Sequence, residues 1–95
     1  MPVKTATEIT AEFDAVTRYE LAEEILSFLR TDSGRRLRQA RKAARPGTDI
    51  NRLAQVHALY SSLREDVHQR TAAEIEEIIS RYGPRARRAA GAVTA

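Results

Sequence analysis

Ninety-five residues make one small domain or one protomer of an assembly, and the lack of cysteine excludes disulfides and thiolate metal sites. The net charge of +3 hides a block pattern: residues 1–33 carry three basic and seven acidic groups, 34–47 six basic and none acidic, 48–82 four basic and six acidic, and 83–95 three basic. With no signal-type start and no apolar run near the roughly 18 residues that span a bilayer, the chain reads as a soluble cytoplasmic protein without a membrane partner.

β-Branched residues are sparse, while Ala, Leu, Glu, Arg and Gln dominate, so the expectation is all-α. The first region opens with Thr5-x-x-Glu8, a capping box in which a hydroxyl and a carboxylate satisfy free backbone N–H groups. At about 100° per residue, Ile9, Phe13 and Val16 point one way and Leu21, Ile25, Phe28 and Leu29 roughly the opposite way. A second capping box, Thr17-x-x-Glu20, sits at the changeover with Val16 and Leu21 as its hydrophobic staple. This predicts a bent N-terminal helix, with a bend or break near Thr17; the alternative is one continuous helix buried on two sides between partners.

Asp32-Ser33-Gly34 then punctuates the chain, and Ser33 is a plausible N-cap. Residues 35–45 are expected to form a short basic helix that stops before Pro46. Arg35, Arg38, Arg41, Lys42 and Arg45 share an arc of about 120°, Leu37, Ala40 and Ala44 lie opposite, and Ala43 and Arg36 fall between. The small face suits close packing on a neighbouring helix. The cationic face is mostly arginine, whose guanidinium donates in pairs to phosphate or carboxylate.

After Pro46-Gly47, Thr48 and Asp49 can cap a long C-terminal helix from Ile50 to Tyr82, some 33 residues and about 50 Å. Its stripe of Leu53, Val56, Tyr60, Leu63, Val67, Ile75, Ile78 and Tyr82 begins with a coiled-coil-like rhythm and then stutters. The stripe crosses Thr71-x-x-Glu74 without changing direction, so that box reads as helix interior, and Gly83-Pro84 reads as the stop. The expected organisation is a single helical domain, 1–82, forming a hairpin or small bundle, with a basic flexible tail, 83–95. The two-sided first helix and the long stripe suggest a homodimer, with Leu53, Val56, Tyr60, Leu63 and Val67 at its interface.

Five like charges in one arc call for a counter-charge. Phosphate would make the chain a nucleic-acid-associated regulator, of DNA or RNA, using Arg35, Arg38, Arg41, Lys42, Arg45 and the tail residues Arg85, Arg87 and Arg88. No aromatic interleaves with these residues, so single-stranded bases find no stacking platform; Gln39 and Arg36 are the candidates for reading base edges. The rival counter-charge is carboxylate. It would come from the chain's own Glu20, Glu23 and Glu24 or Glu74, Glu76 and Glu77, or from a partner protein of which this chain is a helical adaptor or inhibitor, antitoxin-like or phage-encoded.

Catalytic and metal motifs are weak. Glu65-x-x-His68 has the spacing of di-iron bundle ligands, but Glu65 lies outside the apolar stripe and His68 only borders it. His57 and His68 stand about 16 Å apart along the expected helix and cannot share a metal within one chain. The serines have no credible base, and no glycine-rich phosphate loop exists. The expectation is a non-enzymatic module with no metal and no cofactor.

Residues 35–53, RRLRQARKAARPGTDINRL, resemble the RNA-binding helical segment of the signal recognition particle M domain. Arg35, Arg36, Arg38, Ala40 and Arg41 fit its basic run, and Ile50-Asn51 fits the Val-Asn that follows at like spacing. The resemblance implies RNA binding by a helix-loop-helix. Lys42-Ala43-Ala44 replaces that family's Gly-Ser-Gly turn, and the methionine-rich groove has no counterpart in a chain with one methionine.

Overall fold

A computed structural model describes residues 5–43 and 49–94, with side chains as far as Gly91. Among these residues the chain is entirely helical: α1 (Ala6–Ala43), α2 (Ile50–Asp66), a 3₁₀ turn (Val67–Gln69) and α3 (Ala72–Thr94). The molecule is elongated, 65 × 28 × 17 Å, because α1 alone, 38 residues, is about 57 Å long.

The Thr5–Glu8 box forms as its spacing predicts. Glu8 N–H donates to Thr5 Oγ1 at 3.2 Å, and Thr5 N–H donates back to Glu8 Oε2 at 3.4 Å. No break follows at Thr17, and no new helix starts at Ser33. Helix α1 runs through both, and Ser33 and Gly34 are buried inside it. The separate short basic helix is therefore corrected to the last turns of α1. The physical reason is burial: Ala22, Ile25, Leu26, Leu29, Ser33 and Leu37 form one continuous face, and an interruption at Ser33-Gly34 would split it.

Helix α2 descends antiparallel along the upper part of α1. Ser33 meets His57 near the top, and further down Arg64 Nε donates to Ser27 Oγ at 2.6 Å. The expected 33-residue helix does not exist. Helix α2 ends at Asp66, Arg70 is extended (φ −83, ψ 146), and α3 starts anew at Ala72. The stutter between Val67 and Ile75 is a hairpin, and it is closed by the box that was read as helix interior. Glu74 N–H donates to Thr71 Oγ1 at 3.3 Å, while Thr71 N–H donates to Glu74 Oε1 at 3.0 Å.

Helix α3 returns parallel to α1, with Glu76 beside Arg18 and Gly83 beside Ile25. It does not stop at Gly83-Pro84; Pro84 lies inside it. Residues 83–94, read as a flexible tail, continue the helix, and Ala89 is buried.

The core gathers Ala22, Ile25, Leu26 and Leu29 of α1 with Tyr60 and Val67 and with Ile75, Ile78 and Tyr82 of α3. Leu26 and Val67 are fully enclosed, each stabilising the fold by about 1.5–3 kcal/mol. Tyr60 and Tyr82 meet edge to face, with centroids 5.8 Å apart. Part of the stripe assigned to a dimer interface thus faces inward. Tyr60 and Val67 are core residues of their own chain, with Val56 and Leu63 packed partly buried against them, and Val67 has no surface left to offer a second copy.

Candidate nucleic-acid interface

The last turns of α1 sort their side chains as the wheel predicts. Leu37 is buried and Ala40 half-buried, while Arg38, Arg41 and Lys42 are exposed. Arg35 and Arg36 behave differently. Asp32, only 9% exposed, accepts Arg35 Nη2 on Oδ1 at 2.7 Å and Arg36 Nε on Oδ2 at 2.9 Å. Arg35 also donates to Gln39 at 3.4 Å. The partner Asp32 was hidden in what reads as turn punctuation; its i,i+3 and i,i+4 spacing to two arginines was the available signal. Arg45 lies outside the described residues.

Of the glutamates weighed as internal counter-charges, Glu23, Glu74, Glu76 and Glu77 are engaged elsewhere, and Glu24 lines the groove that Arg87 reaches. Glu76 takes a two-pronged hydrogen bond from Arg18, at 2.6 and 2.7 Å. That bond holds the Glu76 carboxyl below the usual range and raises the Arg18 guanidinium. Glu74 pairs with Arg70 at 3.2 Å, Glu77 with Arg81 at 3.9 Å, and Glu23 with Arg64 at 3.8 Å. Arg38, Arg41 and Lys42 have no ion pair among the described residues.

Because α3 passes through Pro84, it carries Arg85 and Arg88 to this same end. Together with Arg36, Asp32, Leu53 and Tyr60 they line an open cavity of about 310 Å³ between the three helices. Arg85 also stacks over the Tyr82 ring, 5.3 Å from its centroid. Arg87 points to another side, toward a groove between α1 and α3. The upper end of the bundle (30–43, 49–56 and 84–91) therefore holds ten basic residues against Asp32 and Asp49. The opposite end, 5–20, holds Glu8, Glu12, Asp14 and Glu20 against Arg18. The charge blocks of the sequence have become the two poles of a rod.

Glu65 and His68 are both exposed, and no three His, Cys, Asp or Glu residues that could hold a metal ion come together among the described residues. His57 is half-buried against Gly34 rather than lining the cavity. Among the described residues no helix is long and apolar enough to cross a membrane.

The described residues make up an all-helical fold of three α-helices with one strongly basic pole. No protein-family model, no curated protein and no solved structure matches the chain. None of these comparisons supports the resemblance of residues 35–53 to the M-domain segment.

Proposed function

We propose that the basic pole binds nucleic acid through phosphate contacts, making the chain a non-enzymatic, nucleic-acid-associated regulator. Arg38, Arg41 and Lys42 supply the outer contacts, and Arg85 and Arg88 those beside the cavity. One observation carries the reading: Arg38, Arg41 and Lys42 have no ion pair among the described residues, while Glu23, Glu74, Glu76 and Glu77 are paired with other cations. The exposed guanidinium groups are spread along a helical ridge, which suits the regularly spaced phosphates of a duplex better than a single bound anion. With no aromatic among the exposed cations of the ridge, binding should depend on charge rather than base stacking.

The test is fluorescence anisotropy with a labelled 20-base-pair DNA duplex and a matched RNA hairpin across a salt series. Five phosphate contacts predict that log K falls with log salt at a slope of about −4 to −5 on DNA. The variant R38E/R41E/K42E should lose about three units of that slope and most of the affinity. No binding to either nucleic acid at low salt, or an unchanged slope in the variant, defeats the reading. In that case an acidic protein surface becomes the counter-charge, and the chain an adaptor.

A further inference from the structure

The first three turns of α1 extend past the end of the hairpin. Every residue from Thr5 to Arg18 is exposed, and the nearest part of α3 reaches only the level of Ala15 to Tyr19. This arm nevertheless carries large apolar side chains at helical spacing: Ile9 (55% exposed), Phe13 (70%) and Val16 (55%). A helical segment so short is marginal in water without packing, and three such residues in a row form a contact surface.

The arm leads directly into a groove. Successive i+4 positions on a helix advance about 40° around it, so the row Ile9, Phe13, Thr17, Leu21, Ile25 winds from the face opposite the core into the cleft between α1 and α3. That cleft, about 440 Å³ and open, is mainly apolar, with Leu21, Phe28, Ile79 and Ala86 on its walls and two charged residues, Glu24 and, near its upper end, Arg87. Arm and groove also match in length: Thr5–Val16 and Ile79–Ala90 each span about 18 Å.

We infer that the occupant of the groove is the arm of a second copy of this chain. Two copies would lie antiparallel about a two-fold axis passing between positions 18 and 19. Ile9 then meets the partner's Phe28, Phe13 lies along the methylene stem of the partner's Glu24, and Val16 meets the partner's Leu21; each contact is made twice, as a two-fold interface requires. Charge favours the antiparallel pair over the parallel one. A parallel pair would set the acidic arms, with Glu8, Glu12 and Asp14, side by side. The antiparallel pair brings Glu8 to the level of the partner's Arg87, at the start of its basic pole. The two basic poles then point outward, about 60 Å apart along the shared axis. This pairing is independent of the nucleic-acid reading, since Arg38, Arg41 and Lys42 remain outside the interface.

Sedimentation velocity on the full chain at micromolar concentrations tests the pairing. The expected result is a species of twice the chain mass. F13E should raise its dissociation constant about a hundredfold or more, because two phenylalanines leave the interface. The far-UV circular dichroism and melting of the bundle should persist, since Phe13 lies outside the core. The register is tested by V16C/L21C in a chain that has no other cysteine. Five residues apart on one helix, the two thiols cannot bridge within a chain; the antiparallel pair joins them into a covalent dimer on oxidation, and neither single cysteine variant does so. A wild type of single-chain mass, an F13E variant that still dimerises, or cross-linking of V16C alone overturns the proposal.

Discussion

Ser33 on α1 and His57 on α2 are joined Oγ to Nδ1 at 3.0 Å, while the same hydroxyl lies 3.1 Å from the Arg30 carbonyl oxygen. A hydroxyl has one proton, and here it goes to the carbonyl. An imidazole protonated on Nδ1 then completes the contact by donating to Ser33. This bond holds the ring edge against Gly34, where an added Cβ would stand 3.0 Å from His57 Cε1.

Ser33→Ala leaves the half-buried N–H without its partner and should destabilise the fold by about 1–2 kcal/mol. Gly34→Ala adds helix propensity of about 1 kcal/mol but must displace a tethered ring, so its melting temperature should not exceed that of the wild type. In the Ser33→Ala background the ring is released, and Gly34→Ala should become stabilising. A double-mutant cycle of thermal melts measures this coupling; strict additivity would show that Ser33 does not restrain the ring.

Pro84 is a helix-interior proline. It offers no N–H to the Ser80 carbonyl, and its ring crowds that carbonyl. Gly83 reduces the penalty, because a residue without Cβ avoids the clash that keeps most residues before proline out of the α region. Pro84→Ala should stabilise the protein by about 1–3 kcal/mol, raising the melting temperature by about 4 °C or more. A lower melting temperature would mean that the helix does not continue through this position.

Acid should loosen the hairpin. The Glu74 carboxyl is held below the usual range chiefly by Thr71, through its backbone N–H and then its hydroxyl, with Arg70 adding to the effect; Glu76 is lowered by Arg18. Carboxylates lowered by folding contribute stability that is complete above their unfolded value, about 4.3. That contribution is lost as pH falls from there through the folded values. Melting temperature should therefore be flat near neutrality and decline below about pH 4. The decline should be shallower in E74Q/E76Q. Thr71→Ala should cost about 1 kcal/mol at pH 7 through loss of the cap.

The Thr-x-x-Glu pattern shows how far local signals reach. It occurs at Thr5, Thr17 and Thr71, and by spacing alone the three are equivalent. It caps a helix at Thr5 and Thr71 and lies idle within α1 at Thr17. The difference is set at long range. At Thr71 the chain must reverse for Ile75, Ile78 and Tyr82 to reach α1, whereas at Thr17 the core below Tyr19 needs no turn. The same applies to Gly83-Pro84. A local stop signal was overridden because Ala86 and Ala89 extend the stripe of Ile78 and Tyr82 at 3- and 4-residue steps, a cue present in the sequence beyond the point where the helix was expected to end.

Composition and periodicity were enough to determine that the chain is helical, that Leu37 and Ala40 turn inward while Arg38, Arg41 and Lys42 turn outward, and that charge is segregated along the chain. These properties depend on neighbours within a turn or two. Only the tertiary structure decided where helices begin and end, that Asp32 rather than the glutamate clusters meets Arg35 and Arg36, and that Arg85 and Arg88 join the basic pole. It also decided that Tyr60 and Val67 belong to the chain's own core while Ile9, Phe13 and Val16 stay exposed. The reason is energetic scale: cap and propensity preferences amount to about 1 kcal/mol each. Burying a continuous face of Leu, Ile, Val and Tyr contributes several times that, and it draws on residues far apart in sequence.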